Sequence, residues 1–123
     1  HRLGTREIEE AVSSHPRVAE AAVVGMHDEL KGQVPLVFVT LKQAAASDEI
    51  AALAAEMMQQ VTGSLGAVAR PAHVHIVNAL PKTRSGKLLR RSLQALAERR
   101  DPGDLSTLDD PGALEEIRRV LGT

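Results

Sequence analysis

Cysteine, tryptophan and tyrosine are absent from this 123-residue sequence, and Phe38 is its only aromatic residue. Each absence closes off a class of chemistry. Without Cys there is no disulfide, no thiolate nucleophile and no Cys-based metal site. That suits a reducing compartment, so a cytoplasmic location is expected. Without aromatic platforms, a single-stranded nucleic-acid reader has nothing on which to stack bases. No nucleic-acid partner is expected. No apolar run approaches the roughly 18 residues that a membrane span needs, and no membrane partner is expected either. No signal peptide is visible. The first residue is His1, not Met, and the chain reads as a piece of something longer.

What is present is aliphatic. The hydrophobic fraction is 43%, ordinary for a globular chain, and it consists of Val, Leu, Ile and many Ala. The length fits one domain, residues 1–123, with roughly two-thirds of the unfolded surface buried. Charge is nearly balanced, with 15 Lys+Arg against 16 Asp+Glu. It is not evenly spread. From Pro81 to Arg100 there are seven basic residues and one acid, Glu98.

Periodicity gives the elements. Thr5 reads as an N-cap for a helix carrying Ile8, Ala11 and Val12 on one face, ended by Pro16. Ala21–Met26 and Val34–Leu41 read as strands, the second with Pro35 near its start. Ser47 reads as the cap of a helix through about Thr62, with Leu53, Met57 and Val61 on its apolar face. Ala72–Val77 alternates like a strand. Ser85 reads as the cap of a helix from Gly86 to about Glu98. Residues 101–123 form a tail loop and helix, opened by the Asp110–Pro111 pair. Together these predict the α+β class, a small three-stranded sheet with flanking helices.

The basic segment "PKTRSGKLLRRSL" asks for an anion. It is not a Walker loop: the earlier Gly of that pattern falls on Pro81, and Leu88 follows Lys87 where Ser or Thr is required. A basic helix face alone is weak support for nucleic-acid binding, and a solvated face stays open. Arg90 and Arg91 are expected to be such solvated charge. Lys87, however, would fall in the first turn of the expected helix, where the dipole disfavours a cation. A lysine there, beside backbone N–H groups, suits an oxyanion from outside the domain. His73 and His75 share one strand face, and without a third ligand they read as structural.

"PKTRSGK" resembles the C-terminal signature of the adenylate-forming, acyl-activating enzymes. The Arg before Ser-Gly-Lys is similar to acetyl-CoA and propionyl-CoA synthetases. "HRLGTREIEEAVSSHPRVAEAAVVGMHDELKGQ" resembles the start of their small C-terminal lid domain, and "DLSTLDDPGALEEI" resembles the tail of the acetyl-CoA branch. The resemblance implies a ligase that turns acetate or propionate, ATP and CoA into acyl-CoA, AMP and pyrophosphate through an acyl-adenylate. It implies a partner in the N-terminal domain of the same enzyme. It makes Lys87 the adenylation lysine, Arg2 a nucleotide contact, and Ser13, His15 and Val18 a cation site. Thr62 stands where these synthetases carry an Arg near CoA; Arg70, close by, is the other candidate. Mg accompanies ATP in the full enzyme. No cofactor is expected to stay tightly bound to this fragment, which should be inactive alone. Lys87 is expected to be an acetylation target, with an acetyltransferase and a deacetylase as further partners. The C-terminal domain of another adenylate-forming ligase, and a non-catalytic binding or regulatory module, remain the alternatives.

Overall fold

The computed structural model describes residues 4–28, 30 and 32–122. The elements run α1 (Thr5–Ser13), β1 (Val18–Asp28), β2 (Gly32–Leu41), α2 (Ser47–Leu65), a 3-10 turn (Ala67–Ala69), β3 (His73–Ile76), α3 (Arg90–Ala97) and α4 (Pro111–Leu121). The sheet order is β1-β2-β3. β1 and β2 are antiparallel; β2 and β3 are parallel. A parallel neighbour requires a long crossover, and α2 supplies it.

The sheet is buried on both faces, so the middle of its central strand, Leu36–Val39, is continuously apolar rather than alternating. Leu36 and Phe38 point to one side, with Val24, Leu93, Leu96, Leu108, Leu114 and Ile117. Val37 and Val39 point to the other, with Ile8, Val12, Leu53, Met57 and Val61. Thus α3, α4 and the tail cover one face, and α1 and α2 cover the other. Phe38, at 0% exposure, anchors the first. Val18 and Val23 lie on the same face although their spacing is odd. A register irregularity between Val18 and Glu20 resolves this, because a bulge adds a residue and flips the phase of the rest of the strand.

The order of elements is as expected, and several ends differ. The N-cap of α1 is Gly4, not Thr5. Ala46, not Ser47, caps α2: its N–H donates to the Glu49 carboxylate at 3.0 Å. Glu49 thereby offers the N-cap N–H a charged acceptor, and side-chain capping by Ser47 is unnecessary. The third strand is shorter, His73–Ile76. The largest correction concerns α3. It begins at Arg90 with Leu89 as N-cap, so Ser85 caps nothing and Lys87 is not in a helix. The Asp110–Pro111 opening of α4 is as read: the Asp110 carboxylate accepts from Gly112 N at 2.9 Å.

Candidate functional site

Residues 81–89 form a small hairpin rather than a helical turn. Lys82 and Leu88 pair as an antiparallel bridge. Thr83 N donates to the Lys87 carbonyl at 2.8 Å, and Gly86 N to the Thr83 carbonyl at 2.9 Å. Lys87 N donates to Thr83 Oγ1 at 3.1 Å. Leu89 N closes the base on the Pro81 carbonyl at 2.9 Å. Gly86 turns the chain at φ 91°, a region that side-chain-bearing L-residues avoid.

The tail holds this hairpin from outside. Thr83 bridges to Leu108, and Asp109 N donates to the Lys82 carbonyl at 2.8 Å. Lys82 Nζ pairs with Glu20 of β1. These pairings explain why no helix starts at Ser85: the backbone groups that a helix would need are already bonded across the hairpin and to the tail. The N–H groups of Thr83, Gly86, Lys87 and Leu89 are therefore committed internally and not offered to an external anion. There remains Lys87 itself. It is exposed, and its ammonium has no hydrogen bond or ion pair among the described residues. A positive charge is presented on a fixed support, with no neutralising partner among the described residues.

Arg90, at the foot of the hairpin, is not a freely solvated charge. Its guanidinium donates to the Val23 carbonyl at 2.5 Å and pairs with Glu9 at 2.8 Å. Arg91 is exposed and has no side-chain partner among the described residues. Of the two expected solvated arginines, only Arg91 is one. The sequence carried no signal for this: Glu9 lies 81 positions from Arg90.

Ser13 ends α1, and the turn that follows carries the chain through His15 into β1 at Val18. His15 is buried, 7% exposed. Its Nδ1 accepts from Arg17 N at 3.1 Å, which leaves the proton on Nε2 to donate to Glu56 at 2.8 Å. Its carbonyl accepts from Val18 N at 3.1 Å. Both ring nitrogens are thus used, and the ring does not fit as a metal ligand. Among the described residues no three His, Asp or Glu side chains gather as a metal cluster. A cation at this turn would rest on neutral carbonyl oxygens. Beside it lies an open groove of about 800 Å³ flanked by Arg17, Asp48, Glu49 and Glu56. The Ala46 N–H, above all, holds the Glu49 carboxyl below its ordinary value; desolvation opposes this, and Arg17 adds to the lowering. No hairpin residue lines this groove.

Thr62 is half-buried on α2, and its hydroxyl donates to the carbonyls of Met58 and Gln59, both at 3.2 Å. Arg70, just after the 3-10 turn, is exposed and its guanidinium has no partner among the described residues. Arg2 lies outside the described residues. His73 and His75 stack on each other with centroids 5.0 Å apart, and His75 stacks on Phe38 at 5.4 Å. Burial, and secondarily the charge of His73, push the His75 imidazole below its ordinary range. The pair is part of the packing at the β3 edge.

A family profile described as the AMP-binding enzyme C-terminal domain matches residues 7–87. The sequence is 56% identical over 128 residues to a propionate–CoA ligase of Salmonella typhimurium (strain LT2), covering 98% of this chain and 20% of that protein. It is 51% identical over 121 residues to an acetyl-coenzyme A synthetase of Pyrobaculum aerophilum, covering 98% of this chain and 18% of that one. The chain therefore spans about a fifth of the length of these relatives. Among solved structures, a Brucella canis acyl-CoA synthetase matches with a TM-score of 0.67 and 35% identity, over 79% of this chain and 18% of its own.

Proposed function

Since the chain belongs to the family of AMP-binding enzyme C-terminal domains, we propose that it is the catalytic lid, residues 1–123, of a short-chain acyl-CoA synthetase. The reaction is acetate or propionate plus ATP to acyl-AMP and pyrophosphate, then acyl-AMP plus CoA to acyl-CoA and AMP. The observation that carries this reading is the state of Lys87. Its ammonium has no partner among the described residues, while its own backbone N–H and C=O are bonded within the hairpin. That is the arrangement expected of a charge meant for an anion on another domain.

In this reading Lys87 meets the carboxylate and the α-phosphate at the interface with the N-terminal domain. It holds two anions that repel one another, and it opposes the charge that shifts among the phosphate oxygens in the transition state. The ammonium is a compact point charge suited to that. Arg2 contacts the ATP phosphates. For CoA, Arg70 is the better candidate, because the Thr62 hydroxyl is spent within its own helix. Magnesium travels with ATP, and a second cation rests on the carbonyls around Ser13, His15 and Val18. The enzyme works in the cytoplasm, where its substrates are. Acetylation of the exposed Lys87 by an acetyltransferase removes its charge and stops the first step until a deacetylase reverses it.

The test is to assay both half-reactions separately on full-length wild type, Lys87→Ala and Lys87-acetylated enzyme. Adenylation should fall by about 10²–10³-fold, while preformed acyl-AMP plus CoA proceeds much as before. Equal loss in both steps, or loss in neither, would refute the assignment.

A further inference from the structure

The two feet of the Lys87 hairpin are both fastened to one strand edge. On one side Lys82 pairs with Glu20 of β1. On the other, Arg90 reaches the same strand. β1 is an outer strand of the sheet, so Val23 turns its N–H and C=O away from β2. Glu9 of α1 accepts from Val23 N at 2.9 Å. Arg90 donates to Val23 O at 2.5 Å and to the same Glu9 oxygen at 2.8 Å. Gln94, one turn further on α3, donates to Gly25 O at 3.3 Å. Side chains of α1 and α3 thus replace the missing strand along this edge, and Glu9 is shared between the edge and Arg90.

The geometry points to a role for this knot: Arg90, through Glu9 and Val23, is a positioning residue for Lys87. Arg90 opens α3 and follows Lys87 by three residues. The hairpin base bond, Leu89 N to Pro81 O, lies between them. A guanidinium fork on two acceptors fixes direction as well as distance. Released, the start of α3 is free to swing, and Lys87 moves with it. A displacement of about 1 Å at a reacting group can cost on the order of 100-fold in rate. This inference rests on the lid reading for its kinetic consequence, not for its structural one.

The experiment uses the full-length enzyme with Arg90→Ala, Arg90→Lys, Glu9→Gln and, as a neighbour control, Arg91→Ala. Two quantities are read: amide hydrogen exchange of the peptide covering residues 80–90, and the two half-reactions. Arg90→Ala should speed exchange in that peptide by about tenfold, leaving the β2 peptide protected. It should slow adenylation by about 10- to 100-fold and leave acyl-AMP plus CoA within about twofold. Arg90→Lys, which keeps the charge and loses the fork, should recover part of the rate. Glu9→Gln should shift both readouts in the same direction by less, and serves if Arg90→Ala does not fold. Arg91→Ala should change nothing. Unchanged exchange in the 80–90 peptide would overturn the inference, as would an equal fall in both half-reactions. Lys87→Ala run alongside separates the two claims: if it leaves adenylation intact, the lid reading fails, and the exchange data still decide the role of Arg90.

Discussion

The turn at His15 and the hairpin at Lys87 are both polar, and they are finished in opposite ways. At His15 every ring atom able to bond does so inside the domain, to Arg17 and Glu56. At Lys87 the backbone is bonded and the charge is not. A buried polar group left unpaired costs about 1–3 kcal/mol, so closure at His15 follows from burial. Lys87 is exposed, so its free ammonium costs the isolated domain little. Under the proposed function, the difference separates a group that serves this domain from one held ready for another.

Crossed substitutions test that separation most severely. Lys87→Ala should lose adenylation about 10²–10³-fold and melt at the wild-type temperature. His15→Ala should do the reverse. It leaves Arg17 N–H without its acceptor and should cost about 1–3 kcal/mol of stability, read as a lowered melting temperature, with adenylation retained in the folded fraction. A catalytic loss at His15 as large as that at Lys87 would erase the distinction.

A third polar spot supplies a pH control. The His75 imidazole sits below its ordinary range, through burial and then the charge of His73. Its folded pKa is lower than its unfolded one, near 6.5. As pH falls past that value the unfolded chain takes up a proton that the fold resists, so stability declines until the folded pKa is passed. His75→Phe should flatten the fall of melting temperature as pH drops below about 6.5. If the slope survives, the acid sensitivity lies elsewhere.

Two smaller effects sharpen the contrast further. Magnesium or calcium should raise the melting temperature only at about millimolar concentration, because neutral carbonyls bind hard cations loosely. Submicromolar binding would mean that the His15 turn is open to ligands after all. Arg91→Ala should change stability by less than about 0.5 kcal/mol, measured by denaturant midpoint; a larger loss would show that its exposed charge has a task.

Short-range effects were the legible ones in the sequence. Asp110 before Pro111 caps α4 because the acceptor and the donor, Gly112 N, are two residues apart. The three strands were legible because burial on both faces demands runs such as Leu36–Val39. The start of α3 was not legible. Ser-Gly-Lys is plausible as a helix opening locally, and it is defeated by pairing with Leu108 and Asp109, more than twenty positions on. The partners of Arg90 and of His15 are hidden for the same reason, at separations of 81 and 41. Lys87 stands out by its neighbours in sequence, yet the helix-dipole argument for it was wrong, because it stands in no helix.

Gly86 carries one more consequence. A Cβ built there would meet nothing within 4 Å, yet φ is +91°. The turn beside Lys87 is therefore selective for handedness and indifferent to size. An L-alanine at this position would fit the space and strain the torsion. A D-alanine, whose natural torsions are the mirror image, would meet neither objection. The handedness of one backbone torsion governs the turn that presents the lysine.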